Sequence, residues 1–214
     1  MKRVVCLFIF FISIYSVKAQ QKALTENGRE VLLFENGTWK YSSDSISKTT
    51  SVFDSLPLNP KKFAKDPNES FLVKSNVLNI GIYINPGNWT FKPRNDTETK
   101  QEYVFVAKKA YAYAVVVTEP TPVDISKMPY IALLMAQRAA TNVKQTMAEY
   151  RMVNNKKVLC LGFQGTVNSL KIMYLGYYFS NEKGTVQLIS YTSQENFLKY
   201  KTEMESFLNG LVEL

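Results

Sequence analysis

Three stretches of this chain are apolar at nearly every position: AYAYAVVV (110–117), VLCLGF (158–163) and IMYLGYYF (172–179). They are short and rich in β-branched and aromatic residues, which marks them as strands. Successive side chains of a strand point to opposite faces, so a strand with one wet face alternates apolar and polar residues. Strands apolar on both faces are expected to be covered on both. Two segments have helical periodicity and are available as covers. One runs from about Pro129 to Val143, with Ser126 or Asp124 as a cap and Pro129 in its first turn. The other opens on Thr192-Ser193-Gln194-Glu195, a capping box. It repeats Phe197, Tyr200, Met204, Phe207, Leu208 and Leu211 along one face. One helix on each face gives an α+β fold, a mostly antiparallel sheet in an α/β/α sandwich.

The remaining strands fall into place around these. FLVKS (71–75) and LNIGIYI (78–84) precede the turn Asn85-Pro86-Gly87, and Trp89-Thr90-Phe91 follows it. EYVFVAKK (102–109) leads through Lys108-Lys109 into the 110–120 strand, which ends at Pro120 and Pro122. After the first helix come 147–153, 157–166, 170–180 and 185–191. Asn154-Asn155 and Asn181–Gly184 supply the hairpin loops. The sandwich therefore spans 71–214.

Upstream the composition changes twice. Residues 23–41, ALTENGREVLLFENGTWKY, contain Glu-Asn-Gly twice, nine residues apart. Asn27-Gly28 and Asn36-Gly37 read as type I′ hairpin turns, so 20–41 is expected to be a small β-meander. No third copy follows, which argues against a repeat array. Residues 42–70 are rich in Ser and Thr and then carry Pro57, Pro60 and Pro67, the composition of a linker.

The first nineteen residues have the layout of a secretory signal peptide. Lys2 and Arg3 precede an apolar run, VVCLFIFFISIYSV (4–17), and Val17-Lys18-Ala19 places small residues at −3 and −1 of a cut between Ala19 and Gln20. The run falls short of the ~20 residues of a spanning helix. Cleavage there removes three cations and no acid, and the net charge drops from +8 to +5. The expected location is outside the cytoplasm, periplasmic or secreted, with no transmembrane segment after removal of the signal. The mature chain keeps one cysteine, Cys160, in a strand expected to be buried, so packing and not a disulfide must hold the core.

The order of these elements resembles the PsbP-like sandwich family, which includes DcrB-like envelope proteins. The resemblance covers about 71–214 and rests on the INPGNW turn with its tryptophan (84–89), the V-V-T-E-P strand end (116–120) and the F-L-N-G end of the last helix (207–210). It implies the same α/β/α fold. Members are mostly accessory or binding proteins without a common active site, so no functional residue carries over. The 20–41 segment is similar to short openings of exported bacterial proteins of unassigned role.

The residue inventory narrows the chemistry. The chain has no histidine, which removes Ser-His-Asp and Cys-His nucleophiles and the commonest zinc ligand. One mature cysteine removes thiolate clusters. No Gly-rich phosphate loop is present. Asp96, Glu98 and Glu102 are the nearest acidic cluster, but they lack the spacing and glycine of a calcium loop. Glu119 and Asp124 flank a Pro-rich turn. No catalytic, cofactor or metal site is expected, and no nucleic-acid partner.

Tyr111, Tyr113, Tyr174, Tyr177 and Tyr178 lie on predicted strands, where core packing is the first reading and a binding surface the second. The candidate binding surface is Trp39, Trp89, Lys92 and Arg94. Trp39 closes a unit too small to bury it, and Trp89 follows a turn with two cations just beyond. The expected function is a non-enzymatic accessory or binding protein of the bacterial cell envelope, with another envelope protein as partner. The alternative is a small-ligand or lipid-surface protein with a pocket near Trp89.

Overall fold

The computed structural model describes residues 21–24, 30–34, 36–41, 56–94 and 99–214. The expected signal segment with Ala19 and Gln20, the expected turn at Asn27-Gly28, residues 42–55, Asp96 and Glu98 lie outside them. The chain divides into two units, Met1–Ser43 and Asp44–Leu214.

In the first unit β1 (Gln21–Leu24), β2 (Glu30–Leu33) and β3 (Trp39–Tyr41) pair antiparallel in that order. The Asn36-Gly37 turn is not type I′, because only Gly37 takes a positive φ, +76°. The closing pair is Phe34 and Thr38, joined by Phe34 N to Thr38 O at 2.9 Å, one residue wider than a two-residue hairpin. Asn36 Oδ1 stabilises that wider loop by accepting from Thr38 N (3.0 Å) and Thr38 Oγ1 (2.6 Å).

The second unit is built on an eight-stranded sheet. In chain order its elements are β4 (Leu58–Phe63), β5 (Phe71–Lys74), β6 (Ile80–Ile84), β7 (Trp89–Pro93), β8 (Gln101–Ala107), β9 (Tyr113–Glu119), α1 (Met128–Ala139), β10 (Thr141–Val153), β11 (Lys156–Val167), β12 (Leu170–Asn181), β13 (Gly184–Ser193), α2 (Gln194–Asn209) and β14 (Leu211–Glu213). The main sheet runs β4-β10-β11-β12-β13-β9-β8-β7, and a small sheet runs β14-β6-β5. Every pairing is antiparallel except β4 on β10.

Strand β4 corrects the expected linker. LNPKKF is polar and contains Pro60, yet it pairs along β10 at the sheet's edge. An edge strand tolerates a proline and benefits from lysines that discourage further pairing. Asn59 Nδ2 also donates to both carboxylate oxygens of Glu149, at 3.0 and 3.1 Å.

The helices differ from expectation at their ends. Helix α1 stops at Ala139, and Val143 belongs to β10, because Thr141 already pairs with Thr166 on β11. Its N-cap is Lys127 without a side-chain bond, while Asp124 Oδ1 accepts from Ser126 N (2.9 Å) one turn earlier. The capping box of α2 does not form. The N-cap is Ser193, one residue later than the box requires, and Thr192 stays buried on β13 with its hydroxyl donating to Tyr111 O. Leu211 lies on β14, not on the helix: the chain turns sharply at Gly210 and pairs with Ile82.

Consecutive residues of β11 serve different clusters. Val158 and Cys160 pack with Met204, Phe207 and Leu208 of α2. Leu159, Leu161 and Phe163 pack with Met128 and Ala132 of α1. Burial pushes the Cys160 thiol up to about 12, so at neutral pH it is a packed, inert side chain.

The loop before β5 carries a buried acid. Glu69 is 4% exposed. It accepts from Ser206 Oγ (2.8 Å) on α2 and from Asp66 N (3.2 Å). Burial, against those hydrogen bonds, raises its carboxyl from 4.5 to about 7. Between those values the folded chain holds a proton that the unfolded chain has released. This group's contribution to stability therefore falls as pH rises through that window and stays lowered above it. Urea unfolding is expected to show a loss on the order of 2–3 kcal/mol from this group between pH 5 and 8. Glu69→Gln is expected to remove that part of the slope; an unchanged slope would place its origin elsewhere.

Candidate functional site

The four residues of the predicted surface divide between the two units, Trp39 in the first and Trp89, Lys92 and Arg94 in the second. Trp39 is 54% exposed on β3 and meets Tyr41 edge-on, ring centroids 5.3 Å apart. Trp89 is 3% exposed. It does not follow the turn as a loop residue but starts β7, pairing with Ala107. Its ring lies 4.3 Å from that of Phe207, and its Nε1 donates to Glu203 Oε1 at 2.7 Å. A buried, hydrogen-bonded indole offers no open face, so Trp89 is core and the expected pocket beside it is corrected. Lys92 and Arg94 are exposed.

Of the predicted acidic cluster only Glu102 lies among the described residues. Glu102 Oε2 accepts from Ser75 Oγ (2.7 Å) and Thr118 Oγ1 (2.8 Å), and its Oε1 accepts from Asn76 N. It ties the 75–79 loop to β8 and β9. Among the described residues no cluster of three or more metal-ligating side chains occurs. A cavity of about 100 Å³, lined by Leu78, Asn79, Asn181, Lys183 and Glu213, is far below the ~300 Å³ of an ordinary small-molecule pocket.

What the fold does create is an apolar half-face. Strands β9 and β10 run parallel, separated by β13, β12 and β11, so the β9–α1–β10 connection must cross the sheet. Helix α1 lands chiefly on β10 and β11. Tyr103 and Phe105 on β8, Ala114 and Val116 on β9, and Ala112 just before β9 enter the α2-side cluster. Their alternates point the other way. The register aligns them into rows: Phe163, Tyr174, Tyr191, Tyr113, Val106, Thr90, and beside it Leu161, Gly176, Ile189, Val115, Val104, Lys92. Exposure grows along the first row, from 3% at Phe163 under α1 to 40% at Tyr113 and 38% at Val106.

Within these rows the tyrosines form a ladder. Tyr113 and Tyr191 stack at 5.6 Å with a 23° interplanar angle, and Tyr191 meets Tyr174 at 5.8 Å. Burial raises the Tyr191 phenol, with Tyr113 adding and Arg94 opposing. At Gly176 a Cβ would come within 2.9 Å of the Tyr178 ring, so glycine lets that ring lie flat along β12. The pattern of AYAYAVVV predicts cover on both faces, whereas Tyr113 is 40% exposed. The doubled apolar pattern was the available signal, but it marks two apolar faces without saying what covers them.

A second, buried site went unread in the sequence. Arg151 is 4% exposed beneath α2. Its Nε contacts Glu149 Oε1 (2.5 Å), its Nη1 reaches Glu205 Oε1 and Tyr177 OH (each 3.1 Å), and its guanidinium lies 4.4 Å from the Phe63 ring centroid. Tyr177 OH then donates to Asn209 Oδ1 at 2.8 Å. The network joins edge strand, sheet and helix, and among the described residues none of its buried side-chain polar atoms lacks a partner.

With this geometry in view, solved structures supply the comparison. The solution structure of cyanobacterial PsbP (CyanoP) from Synechocystis sp. PCC 6803 matches with a TM-score of 0.52 at 10% identity, over 67% of this chain and 92% of that one. The fold is PsbP-like. Two further matches are PA94 from Pseudomonas aeruginosa, a protein of unknown function (TM-score 0.41, 10% identity, 66% and 95% covered), and LpqN, involved in cell envelope biogenesis of Mycobacterium tuberculosis (0.45, 9%, 66% and 88%). The chain matches no protein-family model and no curated protein sequence. At such identities the PsbP-like likeness concerns the fold alone.

Proposed function

We propose that the mature chain is an exported, non-enzymatic accessory or binding protein of a bacterial cell envelope, periplasmic or secreted. It comprises a cleaved signal (1–19), a small N-terminal β unit, a connecting segment and an α/β/α sandwich with a helix on each face. The observation that carries the reading is the exposed tyrosine–valine half-face on a PsbP-like sheet. Exposed apolar patches of this kind mark interaction sites. The polar constellations described above are absorbed in holding the fold, which favours binding over chemistry. Among the described residues no helix is long and apolar enough to cross a membrane.

The test is light crosslinking of the tagged, mature protein in its own envelope, followed by capture and mass spectrometry. The expected result is one reproducible protein partner. Removing residues 20–41 with the sheet domain intact then reports whether the N-terminal unit takes part in docking. Recovery of the protein alone would overturn the accessory reading.

A further inference from the structure

The half-face has a definite width and a charged border. Strands β13, β9, β8 and β7 occupy about 19 Å at ~4.8 Å per strand, whereas a helix with its side chains is about 10 Å across. The same face already holds one helix: α1 seats Met128 and Ala132 over Leu159, Leu161 and Phe163. The neighbouring strands present the same chemistry, Tyr113, Val106 and Val104, and of the two described helices neither packs on them: Tyr113 is 40% and Val106 38% exposed. Lys92 is the one charged side chain in the two rows, at their outer end, and Arg94 follows it past the end of β7.

We propose that this half-face seats an amphipathic helix of a partner protein, apolar where it meets Tyr113, Val106 and Val104 and acidic where it meets Lys92 and Arg94. The inference rests on the accessory-protein reading and names the partner's chemistry. Charge decides between a foreign helix and a second copy of this chain. Two copies joined by this face would bring the two Lys92–Arg94 borders of a chain with net charge +5 after signal cleavage into one interface, where like charges repel. An acidic flank turns the same border into an attraction. Tyrosine suits the seat, since it offers a large rigid apolar area and keeps a polar tip for the rim.

The experiment places a photocrosslinking phenylalanine analogue at Val106, at Tyr113 and, as a control, at Leu198, which is 86% exposed on α2. Each full-length variant is irradiated in its own cells, and the attached peptide is sequenced. The expected result is adducts from positions 106 and 113 on one peptide with apolar residues at i, i+3 or i+4 and i+7 spacing and Asp or Glu on one flank. Adduct yield should fall at least tenfold in the Lys92→Glu and Arg94→Glu backgrounds, with thermal melting unchanged. A partner reached from Leu198 but not from 106 or 113 would overturn the docking face and leave the accessory reading standing. Adducts to a second copy of the chain, or to lipid, would overturn the acidic-helix occupant. A basic or non-amphipathic peptide, or indifference to both charge reversals, would do the same. No protein adduct from any of the three positions would overturn both readings.

Discussion

Arg151→Ala is expected to cost about 3–5 kcal/mol, read as a lower urea midpoint at pH 7. The guanidinium is nearly inaccessible and meets two carboxylates, Glu149 and Glu205, whose side chains are 18% and 26% exposed. Deleting it leaves both acids facing one another across a partly dry gap, with Tyr177 OH missing one partner. Breaking a buried ion pair in this way costs more than the pair contributes when intact, because the remaining charge keeps its desolvation penalty. Asn59 still donates to Glu149, which limits the loss. Arg151→Lys keeps the charge but cannot span Glu149, Glu205 and Tyr177 together, and is expected to recover less than half of the loss. Arg151→Met combined with Glu149→Gln removes the stranded charge and is expected to recover more. A loss below about 1 kcal/mol in Arg151→Ala would mean that these acids are solvated and that the clamp between β10 and α2 is not energetic.

Gly210→Ala is expected to lower stability by about 3 kcal/mol or more, an effect of overpacking against backbone. Gly210 has φ −68°, an ordinary value that any residue adopts, so no conformational strain is involved. The obstacle is space. A Cβ there would press into the Tyr83 carbonyl, its carbon at 3.0 Å and its oxygen nearer still, and would lie 3.1 Å from Phe207 O. All these atoms are backbone, so no rotamer change relieves the contact. The chain would have to lift β14 from β6 and break the bond from Tyr83 N to Gly210 O (2.8 Å). Amide exchange should therefore quicken at Tyr83 and at Leu211–Glu213 while the centre of α2 keeps its protection. A neutral substitution would mean that β14 is not seated against β6 as described.

Much of this fold was legible because strand and helix periods are local. Strands 157–166, 170–180 and 185–191, the terminal helix and the INPGNW turn are specified by residues a few positions apart, and most of their observed bounds differ by one or two residues. Where reading failed, a distant partner had intervened. Pro60 and the lysines of LNPKKF discourage a central strand, yet the edge of β10 accepts them. Helix α1 ends where Thr141 finds Thr166 on another strand. Trp89 reads as an exposed turn residue until Phe207 and Glu203, more than a hundred positions later, close over it.

The apolar character of both faces of the central strands was written in the chain itself, since it depends only on which residue follows which. What covers each face depends on how β9 reaches β10. That crossing sets α1 over β10 and β11 and leaves the tyrosine row of β13 and β9 open, a result of chain topology that no local period encodes. The same holds for Arg151, an unremarkable strand residue until the fold brings Glu205 and Tyr177 to it and excludes water.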